Sequence, residues 1–495
     1  MTAWIEVALQ AHRSDEETPA GLVAVLEQIP AFAGAASVRS RVATRGIPLK
    51  TPGWRLSVDT LDGTRTLCAI HEKGAPMPGF TRYRTFAWPA GEDLAASLRE
   101  FAETDDALRK PLANAHGCVE TETVPAPRAD SGATADAPAR DPETGFEAGR
   151  EVERIEWRID AGGTDILATF EPDGAERTAL RLAAPAANGA LDAIFALAGE
   201  IVDAAPICIA PREAHEPETG PVHASKLDLP RTATRREAFV AIAASVAEQW
   251  FGNETAAHEG LGDEHIHQLR VAQRRLKTLL KLFRDYVDEA WNTRIAPDPK
   301  WFGDLLADAR DWDVLTDRTL PAWAQADDNP ARWQAPIAAA DVKRRVARDR
   351  VRDALASKRY ARLMLAFVEW LARFASQEDD VPIRFVGYAE KRIRKDYRRI
   401  ADVPDLVSLE PHERHRVRIH AKRLRYALEF FRSIISKRTR TETARLLGEL
   451  QTVLGEANDA AVAADRLASI PEATDYQRGF AWRFRARMGR SVGAP

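Results

Sequence analysis

The sequence predicts two domains of different class: an α+β half built on an antiparallel sheet or barrel, then an all-α helical bundle. Up to about residue 225 short strand-like runs alternate with turn residues. From about 232 the apolar residues recur with the helical 3.6-residue period and strand-like alternation stops. Charge divides at the same place: residues 1–225 carry 21 Lys and Arg against 35 Asp and Glu, residues 226–495 carry 49 against 39. A third observation subdivides the helical half. A basic pattern occurs twice, as HQLRVAQRRLKTLLKLF at 267–283 and HRVRIHAKRLRYALEFF at 415–431.

In the acidic half, RLSVDT (55–60), RTLCAIHEK (65–73) and TRYRTFAWP (81–89) read as strands, separated by an Asp-Gly turn and the cluster GAPMPG. A helix follows over 91–102. The stretch near 122–148 is rich in Pro, Ala, Gly, Asp and Glu and poor in large apolar residues, the composition of a flexible insertion. Strands resume at EVERIEWRIDA, DILATFE and RTALRLAA, with a helix near 189–203, and PREAHEPETGP (211–221) closes the domain as a loop. The expected boundaries are 1–225 and 226–495.

The helical half reads as roughly eight helices. Adding 148 carries His267 onto His415, Arg270 onto Arg418, Arg274 onto Lys422, Arg275 onto Arg423 and Lys277 onto Arg425. The same offset carries LLADARD (305–311) onto VLGEAND (453–459), so a helix and its downstream partner are duplicated together. The spacing predicts two four-helix halves, about 232–375 and 382–480, related by a pseudo-two-fold. On a helical wheel Leu269, Ala272, Leu276, Leu279, Leu280 and Phe283 share one side. Arg270, Arg274, Lys277, Lys281 and Arg284 share the other. The second copy places Val417, Leu424, Leu428 and Phe431 opposite Arg418, Lys422, Arg425 and Arg432, interrupted by Glu429. Lys391, Arg394, Lys395 and Arg398 form a third cationic face, and Arg345, Arg348 and Arg352 a shorter fourth. No acid lies between His267 and Arg284. Neighbouring like charges destabilise a helix unless an anion visits, so the partner is expected to be a polyanion.

Other functions are excluded by what is missing. The three cysteines stand far apart without a CxxC pair, which argues against a zinc ribbon or disulfide framework and for a reducing, cytoplasmic setting. The start, MTAWIEVALQ, lacks the pattern of a signal peptide. The most apolar region, around 180–210, is broken by Arg181, Asp192, Glu200 and Asp203, so no membrane partner is expected. There is no Walker loop, GxGxxG, GxSxG or HExxH. His265 and His267, two apart on a helix among cations, diverge and make no metal site. No cofactor is expected. Nucleic acid is the rival polyanion, but single-strand binders interleave aromatic platforms, and the two main stripes offer only Tyr426.

HxxRVxxRRLK and HRxRIxxKRLRY, each followed by a helix ending in LxxxRD or LGExND, resemble the CHAD domain over about 232–470. The resemblance implies two helical halves whose basic faces line a groove that binds inorganic polyphosphate. It implies His267, Arg270, Arg274, Lys277, Lys281, His415, Arg418, Lys422 and Arg425 as phosphate contacts, with Lys391, Arg394, Lys395 and Arg398 completing the groove. A chain with a charge on nearly every unit and no bases calls for guanidinium and ammonium groups in series. The histidines would add hydrogen bonds, most strongly when protonated. His420, on the apolar face, is expected in the core.

The acidic half resembles a degenerate CYTH domain, the triphosphate tunnel fold that often precedes a CHAD domain. The CYTH pattern opens with ExExK, whose carboxylates hold a divalent metal; here WIEVALQ keeps Glu6 but has Ala8 and Gln10. Ala179 and Arg181 stand where later carboxylates belong, Ser57 and Asp59 replace members of a basic strand, and His71 stands near an expected lysine. Glu151, Glu153 and Glu156 are spaced two and then three apart, so a regular strand cannot aim all three into one tunnel. The expectation is a non-catalytic polyphosphate-binding protein, with polyphosphate granules as its site of action, inorganic triphosphatase activity as the alternative and nucleic-acid binding as the second.

Overall fold

A computed structural model describes residues 3–11, 19–47, 49–74, 77–113, 115, 150–172, 178–210, 220–377, 383–403 and 409–491. The chain forms two compact units, Met1–Ala210 and Pro211–Pro495. The insertion expected near 122–148 and residues 211–219 of the following loop lie outside the described residues.

The first unit is a ring of antiparallel strands: β1 (Ala3–Ala11), β2 (Ser37–Ile47), β3 (Trp54–Leu61), β4 (Thr64–Glu72), β5 (Phe80–Pro89), β6 (Arg150–Ala161), β7 (Thr164–Pro172) and β8 (Thr178–Pro185), with β9 (Ile207–Ile209) added on β1. The sheet runs β5-β4-β3-β2-β6-β7-β8-β1, and β1 also pairs with β5, which closes it. This is the antiparallel barrel implied by the CYTH resemblance. Helices α1 (Pro19–Glu27), α2 (Pro30–Ala33), α3 (Leu94–Glu103), α4 (Asp106–Leu112) and α5 (Ala190–Ala204) complete the unit.

Strand alternation sorts the barrel. Leu56, Val58, Leu67, Ala69 and Phe86 pack outward in one core with Leu98, Phe101, Leu108 and Leu112 of α3 and α4. Their strand neighbours of opposite parity, including Arg55, Asp59, Cys68, Arg154, Glu171 and Arg181, therefore face the lumen. Sequence reading missed β2, and the reason is visible. Its burial pattern lacks the alternation of a one-sided strand: only Val42 and Ile47 are buried, and Arg39, Arg41 and Arg45 interrupt the apolar period.

The second unit is helical: α6 (Arg235–Phe251), α7 (Glu254–Glu259), α8 (Asp263–Leu282), α9 (Pro297–Val314), α10 (Leu320–Gln325), α11 (Gln334–Leu355), α12 (Lys358–Ser376), α13 (Phe385–Ala401), α14 (Pro411–Phe430), α15 (Lys437–Ala468) and α16 (Asp475–Ser491). π-helical turns at Trp291–Ile295 and Leu315–Thr319 flank α9. The 148-residue offset maps α8 onto α14 end to end, α6 onto α13, and α9 with its π turns onto the longer α15. Three helices of the expected four-helix repeat are thus matched by the offset, and the helix number among the described residues exceeds eight.

Local signals set the ends. Thr234 accepts from the Glu237 amide at 3.1 Å while Glu237 accepts from the Thr234 amide at 2.8 Å, a capping box at α6. Phe239 of α6 then meets Phe283, Tyr286, Trp370 and Phe374 edge to face, with centroids 5.0–5.8 Å away. Such geometry adds about 0.5–1.5 kcal/mol per pair beyond area burial.

Candidate functional site

Helices α8 and α14 present their apolar faces to the bundle: Leu269, Ala272, Leu276 and Leu279 are buried on the first, Val417, Leu424 and Leu428 on the second. The wheel expectation holds on both. Beside these faces the repeated cations meet. Burial pushes the Lys422 ammonium down to about 7; repulsion from Arg274, Arg418 and Arg270 adds to this, and Asp459 opposes it. Arg274 is lowered first by burial and then by Arg270 and Arg425, with Tyr426 and Asp311 opposing. Arg418 is lowered by burial, with Asp459 opposing and Arg274 adding. Residues 148 apart in sequence therefore sit in one electrostatic cluster.

Two carboxylates, neither singled out in the sequence as functional, belong to this cluster. Arg270 donates to the Ala307 carbonyl at 3.0 Å and to Asp311 at 3.3 Å. In the second half Arg418 lies 4.0 Å from Asp459. Both the arginines and the aspartates are related by the 148 offset, so each half carries the same Arg–Asp pair. The signal was in the duplicated LLADARD and VLGEAND motifs, which mark the pairing without revealing it. Among the described residues no ion pair is formed by Arg274, Lys422, Arg425, Lys277 or Lys281.

The remaining candidates divide. His267 is half-buried beside the cluster, and its Nδ1 is buried without a hydrogen-bond partner among the described residues. Burial lowers its pKa first, with Arg310, Arg274 and Arg270 adding and Glu264 opposing, which holds it neutral near pH 7. His415 is exposed on the first turns of α14. Lys277 and Lys281 are exposed further along α8. Lys391, Arg394, Lys395 and Arg398 are exposed on α13, whose Ile393 and Ile400 pack on the core formed with α14. That places the four cations on the opposite side of α13, and among the described residues no ion pair or hydrogen bond joins them to the cluster.

Several residues of the repeat have structural duties. Arg275 is fully buried: its Nε lies 2.9 Å from Glu429 and its Nη1 donates to Gln249 at 2.7 Å. The acid that interrupts the second stripe thus ties α14 to α8. Arg423, the counterpart of Arg275, lies 3.6 Å from buried Asp396. His420 faces inward as expected, but beside a carboxylate rather than apolar groups alone, its Nδ1 being 3.4 Å from Asp396. Tyr426 is buried under the Arg425 guanidinium, 5.1 Å from its ring centre, and is not free to stack on a base.

The fourth face proves different. Arg345 pairs with Asp341 at 3.3 Å, Arg348 with Asp313 at 2.7 Å, and Arg352 with Asp349. The sequence reading of α11 as an open cationic face is corrected: each of its three cations has a carboxylate partner.

In the barrel, Glu6 is raised by burial, opposed by Arg181, Arg55 and the Tyr83 hydroxyl; Arg181 lies 3.7 Å away and Tyr83 donates at 3.5 Å. Opposite β1, register pairs Ala8 with Arg181 and Gln10 with Ala179. Further ion pairs occupy lumen-facing positions, Arg154 with Glu171 at 2.7 Å and Arg55 with Glu72 at 3.1 Å. His71 turns outward instead, stacked on Trp54 at 4.2 Å, so it cannot replace a lumen lysine. Glu153 shares parity with buried Ile155, whereas Glu156 shares parity with Arg154. Among the described residues no three His, Cys, Asp or Glu side chains come together as a metal site. Glu6 with Arg181 beside it, and Glu171 and Glu72 each held by an arginine, do not fit the divalent ion implied by a CYTH domain.

The family model of the CHAD domain matches residues 241–468. The CHAD domain of the plant Ricinus communis, known from a crystal structure, is 31% identical, covering 55% of this chain and 94% of its own, with a TM-score of 0.49. This chain belongs to the CHAD domain family. PptA from Streptomyces chartreusis is 18% identical over 52% of this chain and 95% of its own, TM-score 0.40. A putative adenylyl cyclase from Hippeastrum, HpAC1, described as having a dominant triphosphatase activity, is 10% identical over 43% of this chain and 92% of its own, TM-score 0.27. No curated protein sequence matches the chain. The CHAD match spans both copies of the basic repeat, and no described helix is long and apolar enough to cross a membrane.

Proposed function

We propose that the CHAD domain binds inorganic polyphosphate at the cluster where α8 and α14 bring their cations together. One observation carries the reading: Arg274 and Lys422 crowd against Arg270, Arg418 and Arg425, and burial together with this crowding brings Lys422 down to about 7. Such a cluster stores repulsion that a polyanion relieves, and guanidinium groups in series suit phosphate oxygens. His267, Lys277 and Lys281 extend the contact along α8, and His415 extends it along α14. The outlying cations Lys391, Arg394, Lys395 and Arg398 take a phosphate chain that runs beyond the cluster. Burial of Tyr426 removes the one base platform of the stripes, which favours polyphosphate over nucleic acid. A protein that binds without cleaving would be carried to polyphosphate granules by this domain.

The barrel is read as non-hydrolytic, because Glu6 is occupied by Arg181 and Tyr83. Calorimetric titration of the full chain with long-chain polyphosphate tests the binding, with Arg274→Glu/Lys422→Glu as the control that should abolish it. Phosphate release from tripolyphosphate with Mg²⁺ or Mn²⁺ tests the barrel. Turnover lost on Glu6→Gln would make the protein a triphosphatase.

A further inference from the structure

A buried ion pair joins the two copies of the basic helix. Arg275 of α8 is fully buried, and its Nε lies 2.9 Å from Glu429 of α14. Helix α6 holds the same guanidinium: Nη1 donates to Gln249 at 2.7 Å and Nη2 to Ser245 at 3.4 Å. Gln249 is fixed in turn, donating to Gln268 of α8 at 2.8 Å. Just past the ends of the two helices Phe283 and Phe431, equivalent in the repeat, meet with ring centroids 6.2 Å apart. Apolar contact of that kind is non-directional and tolerates a slide, whereas the ion pair demands one geometry. A buried pair is weak support for stability, and its best-attested use is to fix the register of packed helices. Symmetry does not supply a second copy. The 148 offset carries Arg275 onto Arg423 and Lys281 onto Glu429, so the equivalent contact would set two cations together. Arg423 turns instead to Asp396, 3.6 Å away. Glu429 thus removes from the second stripe the cation that Lys281 supplies to the first. What it contributes is position: Arg274 directly precedes Arg275, and Arg425 stands one helical turn before Glu429.

We propose that Arg275 and Glu429 are positioning residues for the polyphosphate site, a buried bolt that sets the register of α8 against α14 so that cations of both halves face one phosphate chain. The proposal rests on the polyphosphate reading and deepens it. A slide along the shared apolar face would leave both stripes intact and the bundle packed. It would nevertheless part Arg274 from Arg425 and Lys422, the neighbours whose repulsion it now shares. Neither member of the bolt needs to touch the ligand; a site whose supporting contacts are loosened loses affinity while keeping every contact residue.

The test replaces both charges in the full chain by apolar residues, Arg275→Met/Glu429→Leu, which removes one charge of each sign. Circular dichroism and melting follow the fold, and titration with long-chain polyphosphate follows affinity. The pH dependence of Lys422 labelling by an amine reagent, read by mass spectrometry on the ligand-free chain, follows the cluster itself. Stability should stay close to that of the wild type. Affinity should fall by about tenfold or more, the loss of at least one charge-assisted phosphate contact. The Lys422 midpoint should rise from about 7 toward the ordinary lysine range as Arg274 moves away. A folded variant with wild-type affinity, or with an unmoved Lys422 midpoint, overturns the proposal. A loss of affinity that only tracks a loss of stability makes the pair structural and overturns it too. Should this variant not fold, Arg275→Gln/Glu429→Gln, which keeps hydrogen-bonding groups at both places, decides by the same readouts. Wild-type protein that binds no polyphosphate would overturn the underlying reading; the Lys422 profile, which needs no ligand, would still decide whether the pair sets the register.

Discussion

Helix α11 and the α8–α14 pair are both dense in arginine, yet they use it in opposite ways. On α11 acids are interleaved in the sequence, and α9 and the π turn after it supply more. Arg344 reaches Asp317 at 2.6 Å and Asp341, Arg348 reaches Asp313 at 2.7 Å, and Arg350 reaches Asp308 at 4.0 Å. Those cations fasten helices together. On α8 and α14 the carboxylates are outnumbered, and Arg274 and Lys422 face other cations instead. Cation density alone therefore does not mark a ligand site; an excess of cations over reachable carboxylates does.

The comparison breaks most easily by charge reversal. Arg274→Glu/Lys422→Glu should weaken polyphosphate binding by about 100-fold or more, since each lost charge-assisted contact is worth about 1.5–3 kcal/mol. Arg345→Glu/Arg350→Glu on α11 should leave affinity within about threefold, read by the same titration. A second test exchanges the readout. Arg348→Ala leaves Asp313, only 1% exposed, without its partner, and should cost about 3 kcal/mol of stability in chemical denaturation while sparing affinity in the folded protein.

Acid–base behaviour sharpens the contrast further. Lys422 is half neutral near pH 7 in the free protein, and a bound polyanion raises its pKa, so binding takes up a proton above that pH. Affinity should rise as pH falls from 8 to 6, by up to about tenfold in total, the change in the protonated fraction of free Lys422 over that range. His267, lowered by burial in the free protein, adds a smaller change of the same sign. Lys422→Arg should flatten most of the dependence and His267→Gln the remainder, measured as proton uptake in buffers of different ionisation heat. The smallest effect is expected on α13: Lys391→Glu/Arg394→Glu should cost only a few-fold and chiefly reduce the salt dependence. A loss as large as that of the cluster variant would bring α13 into the site.

Much of this was legible early because it is local or periodic. The 148-residue echo, the inward Leu269, Leu276, Leu424 and Leu428, and the strands β3 to β8 follow from patterns that short-range physics enforces. β2 escaped because its few buried residues leave no alternation. The duties of Arg275, Arg348 and Tyr426 escaped because their partners, Glu429, Asp313 and Arg425, are not fixed by any pattern in the stripes.

By itself, then, the sequence determined two domains of different class, a duplicated basic helix and the side of that helix on which its cations lie. Only the tertiary structure decided which cations meet one another and which meet carboxylates. The reason is electrostatic: a charge is set by its position along one helix, but its balance depends on groups brought from other helices, and that sum exists only once the chain has folded.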